Sequence, residues 1–78
     1  MKGYVSLNEI APGERAVVAD LSVCGPLRRR LLDIGLTNGN VVSCVGRSPF
    51  GDPNAFLICG AVHAIRCCDG VNIRVRRV

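Results

Sequence analysis

"GPLRRRLLDIGL", residues 25–36, combines the apolar spacing and the end signals of a single amphipathic helix. Its apolar residues recur at i, i+4 and i+7, and this spacing places them on one face. They are Leu27, Leu31 and Ile34. Pro26 suits the first helical turn, where its missing N–H costs nothing, and Gly35 suits the left-handed residue that ends many helices. The pattern predicts a helix of about two to three turns with one packed face.

On both sides of this helix, short runs of β-branched and alternating apolar residues predict strands. The predicted strands are Arg15–Leu21, Asn40–Arg47, "AFLICG" (55–60), "AVHAIRC" (61–67) and "VNIRVRRV" (71–78). Gly60 separates the third run from the fourth, which predicts a tight hairpin or a glycine kink. Five short strands around one helix favour a mainly β fold, a closed or nearly closed small barrel that leaves little strand edge unpaired.

Two further segments carry turn signals. "SLNEI" (6–10) places Ser6 and Glu9 at the spacing of a capping box, which predicts one short helical turn near the N-terminus. "PFGDPN" (49–54) holds two prolines, a glycine, an aspartate and an asparagine, residues that interrupt a β-ladder. This second segment is therefore expected to be an exposed turn.

The core is predicted from the apolar residues of these periodic segments. Those expected to be largely buried are Val17, Leu31, Ile34, Val42, Leu57, Ile58, Ile65 and Ile73. Because only 4% of the residues are aromatic while 49% are hydrophobic, the interior is expected to consist mainly of closely packed aliphatic side chains.

Length and charge limit the classes of function. A chain of 78 residues supports one hydrophobic core, so we expect a single domain over residues 1–78 and no large enzyme cleft. No run approaches the ~18 apolar residues of a membrane span, and no signal-peptide core follows the N-terminus, which predicts a cytoplasmic protein. The net charge of +4 favours an acidic partner surface but is weak for a dedicated nucleic-acid binder.

The five cysteines do not show the C-x-x-C spacing of structural zinc or redox sites. Cys44 and Cys59 lie in apolar runs and are expected to be small core residues with free thiols. The adjacent pair Cys67 and Cys68 leaves an alternative open, a thiol metal site, provided that the chain turns at Asp69. The preferred prediction is that the protein holds no metal and no cofactor.

Few residues of the sequence suggest catalysis. His63 is the single histidine, and it lies in an alternating run where a solvent-facing side chain is expected. The six acidic residues are scattered, and neither a G-x-x-x-x-G-K-S/T loop nor a G-x-G-x-x-G loop occurs. These observations predict a protein that is not an enzyme.

Four stretches, which together span nearly the whole chain, match the pattern of one known family. They are "SLNEIAPGERAVVADL" (6–21), "LRRRLLDIGLTNGNVV" (27–42), the P-x-G-x-P of Pro49, Gly51 and Pro53, and "GAVHAIRCCDGVNIRV" (60–75). Through these stretches the sequence resembles the FeoA family, the small cytosolic components of bacterial ferrous iron uptake. The most specific part is Arg30–Val42, in which the leucines and both glycines fall at the family's spacing.

The resemblance implies an SH3-like barrel with a helical insertion, working beside the membrane transporter FeoB, which has its own cytosolic GTP-binding domain. It also implies that iron passes through that transporter, and that this chain reaches the inner face of the membrane only through its partner. The alternative is a small basic nucleic-acid-binding barrel, or one related to the accessory domain of metal-dependent repressors. The sequence does not distinguish between these functions, and it does not determine the oligomeric state.

The partner-binding residues expected from the sequence are Arg28, Arg29, Leu32 and Phe50. The first three lie on the predicted helix and the fourth in the exposed turn, and together they would offer a basic and apolar patch to an acidic surface. The simpler interpretation of the arginines is a solvated helix face with one paired or packed side chain. RNA binding is the least favoured, because stacking recognition requires exposed aromatic side chains and the chain has three aromatic residues.

Overall fold

Six antiparallel strands form the sheet in the computed structural model of the chain, which describes residues 3–78. The strands are β1 (Tyr4–Ser6), β2 (Arg15–Leu21), β3 (Val41–Arg47), β4 (Asn54–Ile58), β5 (Ala61–Ile65) and β6 (Ile73–Arg77). A 3-10 helix follows β1 at Leu7–Glu9, α1 spans Gly25–Asp33, and α2 is one turn at Cys67–Gly70. The strand order β1-β6-β2-β3-β4-β5 places β1 and β5 at the two ends of the sheet.

The mainly β fold, the N-terminal helical turn and the inserted helix are as predicted. In the N-terminal turn, the Ser6 backbone N–H donates to Glu9 Oε2 at 3.0 Å, as a capping box requires. β1 was missed, because a three-residue strand is too short to show alternation. It exists through its pairing with β6, in which Val5 lies opposite Val75.

The C-terminal end of α1 is a Schellman motif. The N–H of Gly35 donates to the Leu32 carbonyl at 3.0 Å, and the N–H of Leu36 donates to the Leu31 carbonyl at 3.1 Å. Gly35 has a φ of +109°, in the left-handed region that was expected from its position in the sequence. Leu36 and Leu31 are both buried, so the motif fixes the end of the helix to the core.

One hydrophobic core is built from the inward faces of β2 to β6, α1 and the segments around them. Five of the eight predicted core residues are buried: Leu31, Val42, Ile58, Ile65 and Ile73. The prediction that Leu57 is buried is wrong, because its side chain is 39% exposed while those of its neighbours Phe56 and Ile58 are fully buried.

The prediction that Val17 is buried is also wrong. Adjacent strand residues point to opposite faces, and in β2 the buried face carries Ala16 and Val18. Ile34 is only half-buried, because it is the C-terminal cap residue of α1 and packs at the margin of the core.

The run from residue 55 to residue 65 forms the tight hairpin that was one of the two expectations. Cys59 and Gly60 make its two-residue turn, with φ values of +49° and +83° that match the turn favoured by strand twist. The expectation of a core position for Cys59 was therefore wrong, because a turn residue at the end of a hairpin is exposed. Cys44, by contrast, is buried as predicted.

Candidate partner-binding surfaces

The outward face of α1 brings together three of the four predicted partner-binding residues. Arg28, Arg29 and Leu32 line a shallow, open depression of about 360 Å³, completed by Gly25 and Asp33. We call this set of five residues the helix groove. Its members lie together because residues three and four apart share a helix face, while Leu31 on the other side is buried.

The arginines of α1 differ in what they contact. Arg28 Nη1 donates to the Leu21 backbone carbonyl at 3.2 Å, which ties the first turn of α1 to the end of β2. Within residues 3–78, Arg29 has no carboxylate within 4 Å and is exposed. Arg30 points to the other side of the helix, toward β5. Arg28 is thus partly structural, and Arg29 is the free cation of the groove.

Phe50 stands in the turn between β3 and β4 and is 94% exposed. The turn is ordered by its own hydrogen bonds: Gly51 N donates to the Ser48 carbonyl at 2.8 Å, and Phe50 N to Ser48 Oγ at 3.3 Å. The exposed turn predicted from "PFGDPN" is therefore present at residues 49–53, as a hydrogen-bonded loop that holds an aromatic ring in solvent. The prediction is wrong for Asn54, which is buried and begins β4. We call residues 48–53 the Phe50 loop.

The Phe50 loop is fastened to the first residue of α2. Asp52 Oδ1 accepts a hydrogen bond from the Cys67 backbone N–H at 2.9 Å. The Cys67 thiol donates to the Gly51 carbonyl at 3.4 Å. These two contacts, between residues 15 and 16 positions apart, fix the base of the loop and hence the direction in which Phe50 projects.

The contacts of Cys67 also change its chemistry. Burial and the neighbouring Asp52 carboxylate raise the pKa of the Cys67 thiol. The thiolate fraction of Cys67 at neutral pH is therefore smaller than that of an ordinary cysteine, and thiolate is the reactive form.

We expect iodoacetamide at pH 8 to alkylate Cys67 more slowly than the exposed Cys68, because Cys67 is partly buried and its raised thiol pKa lowers its own thiolate fraction. Peptide mass spectrometry over a time course measures both rates in one sample. Asp52→Asn removes the carboxylate charge and should speed the alkylation of Cys67 while leaving Cys68 unchanged. An unchanged Cys67 rate in that variant would contradict the role assigned to Asp52.

The Phe50 loop and the helix groove are separate surfaces. No residue belongs to both: the loop is fastened to Cys67 of α2, whereas the groove is lined only by residues of α1 within the described part of the chain. The four residues predicted from the sequence thus belong to two surfaces, three of them to the helix groove and Phe50 to its loop.

A third feature lies between α1 and β5 and was not predicted from the sequence. It is a cleft of about 140 Å³ with an apolar floor that includes Leu27 and Ile34. Its polar lining is Arg30, His63, Arg66 and Asp69. We call it the α1–β5 cleft. His63 is half-buried in this cleft rather than fully solvent-facing as expected, because it lies opposite the buried Phe56 and so shares the inner face of the sheet.

Two properties of residues 3–78 bear on metal binding and on membrane insertion. They contain no group of three or more histidine, cysteine, aspartate and glutamate side chains that could hold a metal ion. Nor does any helix in this range have the length and apolar character needed to cross a membrane. Cys67 and Cys68 both lie in the single turn of α2.

Comparison with known proteins gives one family. The model of the FeoA domain matches residues 5–77. Among solved structures, the FeoA protein from Chlorobium tepidum is 30% identical, with a TM-score of 0.89 over 95% of this chain and 70% of that one. No protein in a search of curated sequences matches the chain.

Two more distant structures share the fold. FeoA from Stenotrophomonas maltophilia in complex with zinc, described as an SH3 domain protein, is 23% identical with a TM-score of 0.78, over 95% of this chain and 99% of that one. A manganese-dependent transcriptional repressor is 19% identical with a TM-score of 0.87, over 100% of this chain but 43% of that one. The likeness to the Stenotrophomonas maltophilia protein confirms the SH3-like fold.

Proposed function

Because this chain belongs to the FeoA domain family, which is associated with ferrous iron transport, we propose that it is an accessory protein of ferrous iron uptake. In this proposal it binds a cytosolic surface of a FeoB-type transporter and modulates it. Iron is the cargo of the transporter and is not bound by this chain. The chain acts by docking and does not catalyse a reaction.

The observation that carries the proposal is the exposed Phe50. An aromatic side chain that is 94% exposed leaves its apolar surface in water, although the loop that carries it is ordered by hydrogen bonds. Burying a phenylalanine against a partner contributes about 1.5–3 kcal/mol, and aromatic residues are common at the energetic centre of interfaces. The fastening of the loop to α2 lowers the entropy cost of presenting the ring.

The helix groove supplies the charge of the proposed interface. Arg29 is exposed and lies beside Leu32, so the groove offers a cation next to an apolar side chain. The net charge of +4 favours an acidic partner and speeds encounter with it.

Docking explains modulation better than catalysis in trans. An arginine that stabilises phosphoryl transfer must be carried into the partner's site by a well-placed segment. In this protein, Arg28 is bonded to the Leu21 carbonyl, and the helix is anchored to the core through Leu31. A docked protein instead shifts the partner's conformational equilibrium when its affinities for two states differ.

Phe50→Ser is expected to weaken binding to the isolated cytosolic domain of a FeoB-type transporter by about tenfold to a hundredfold, because it removes roughly 1.5–3 kcal/mol of apolar burial. Titration calorimetry measures the affinity, and ferrous iron uptake in cells should fall with it. The matched control is Val71→Ser, an apolar residue 59% exposed in another depression, which should leave both unchanged.

Arg29→Glu should weaken the same binding, more strongly at low salt, while Arg76→Glu on β6 gives the same change in net charge away from the groove. Thermal unfolding checks that all four variants fold. Wild-type affinity in Phe50→Ser would show that the Phe50 loop is not part of the interface. Equal effects of Arg29→Glu and Arg76→Glu would show that net charge, and not contact with the helix groove, changes the affinity.

A further inference from the structure

β5 is an end strand with one free side. It is last in the strand order of the sheet and is paired with β4 alone among residues 3–78. In the two-residue hairpin, Ala61, His63 and Ile65 exchange hydrogen bonds with β4, whereas the N–H and C=O groups of Val62 and Ala64 point to the open side. Backbone groups that need partners are thus offered along this edge.

The edge lacks the sequence features that commonly protect a terminal strand, and Ala61, Val62 and Ala64 are exposed although α1 lies across the cleft. Its sequence, "AVHAI" (61–65), has no lysine, proline or acidic residue, and its register with β4 runs over five pairs without a bulge. By contrast, β1 at the other end of the sheet is only three residues long. Val62 is 62% exposed beside Leu57 on the outer face, so the edge is apolar as well as unpaired.

The α1–β5 cleft borders the inner side of the same strand. Arg30 of α1 and Arg66, which directly follows β5, line the cleft, and neither has a carboxylate within 4 Å in the described part of the chain. Among the described residues, Asp69 is the single carboxylate that lines the cleft, so the two arginines outnumber the negative charges there. Side chains that enter the cleft from a neighbouring strand would meet this positive charge.

We propose that the free edge of β5 and the α1–β5 cleft form a site for an extended acidic segment of a partner protein, bound by strand addition. Side chains of an added strand alternate between the two faces of the sheet. One set would enter the cleft toward Arg30 and Arg66, and the other would lie over Val62 and Leu57. The segment that fits has acidic residues at every second position and apolar residues between them.

The positive charge of the cleft favours an acidic segment over a second copy of this chain as the strand added to β5. Two copies paired through β5 would bring two sets of Arg30 and Arg66 together in a protein of net charge +4, and like charges at close range oppose association. An acidic segment meets the same groups with attraction. The site is distinct from the Phe50 loop and the helix groove, so it stands or falls separately from the proposed function.

The test uses a fluorescein-labelled nine-residue peptide of alternating Glu and Val, with fluorescence anisotropy as the readout. The control peptide has the same composition with the valines grouped together. The alternating peptide should bind, and the grouped one should bind about tenfold more weakly, because only the former places its charges on one face. Amide chemical shifts of the protein should move along residues 61–65.

Val62→Pro removes a backbone N–H that faces the open side and takes no part in the β4 ladder, so the strand is kept. It should weaken binding of the alternating peptide by about tenfold or more. Val62→Thr keeps the N–H and the β-branched shape and is the matched control, with binding close to wild type.

Arg30→Glu combined with Arg66→Glu should also weaken binding, while leaving the backbone edge intact. It serves as the second variant if Val62→Pro fails to fold. Equal binding of the two peptides, wild-type binding in Val62→Pro or in the arginine double variant, or shifts confined to the helix groove would overturn the proposal. So would dimerisation of the free protein through β5, since the edge would then belong to a second copy.

Discussion

Replacing Phe56 by alanine is expected to lower the free energy of unfolding by about 3–5 kcal/mol. Phe56 lies on β4, is fully buried and belongs to the hydrophobic core. Its removal leaves a cavity among aliphatic side chains that cannot fully collapse, and the loss of contacts adds to the loss of burial. Urea denaturation followed by circular dichroism measures the change.

The neighbouring residue provides the control for this prediction. Leu57 has its side chain on the outer face and is 39% exposed, so Leu57→Ala should cost about 1 kcal/mol or less. The two substitutions remove apolar side chains from adjacent positions of one strand, so they differ mainly in the face they occupy. A similar loss for both would contradict the pairing of Phe56 with Cys44 and His63, which turns Phe56 inward and Leu57 outward.

Gly35→Ala is the second substitution expected to be severely destabilising. The residue has a φ of +109°, where a Cβ costs about 1–2 kcal/mol. The added methyl group would also overlap Cys59 Sγ and approach Ile58 Cγ2 at 3.0 Å, and overpacking of this kind costs about 1–3 kcal/mol. The total is about 2–5 kcal/mol, again read from urea denaturation.

Two further variants separate the causes of this loss. Gly39 has a φ of +94° but open space around it, so Gly39→Ala should show the conformational cost alone. Cys59→Ala added to Gly35→Ala removes the overlapping sulfur and should recover part of the loss. If Gly35→Ala costs no more than Gly39→Ala, then α1 does not end against the β4–β5 turn.

The sequence predicts most of this fold because the residues that begin and end its helix and strands act through local backbone preferences. Pro26, Gly35 and Gly60 mark the ends of α1 and the β4–β5 turn through backbone preferences that need no tertiary information. β1 could not be predicted in this way, because its three residues become a strand only when β6 lies beside them. Leu57 was misplaced because its apolar run gives no alternation from which to choose a face.

For the candidate surfaces, the sequence indicates single exposed residues but not their arrangement. The loop residues around Phe50 predict its exposure, and helical spacing groups Arg28 with Leu32. The α1–β5 cleft joins residues more than thirty positions apart, Arg30 and Arg66, and depends on which side of α1 faces β5. The direction of helix packing is a tertiary property, and the sequence pattern leaves it undetermined.

The position of β6 within the sheet sets an order of events during synthesis of the protein. β6 is the last strand along the chain, yet it lies between β1 and β2 and carries Ile73 and Val75, both fully buried. As the polypeptide leaves the ribosome, β2, β3, β4 and β5 can pair one after another, whereas β1 waits for a partner more than sixty residues away. We therefore expect one backbone edge of β2, the edge that pairs with β6, to stay open to solvent and to chaperones in the nascent chain until residues 73–77 emerge and close the domain.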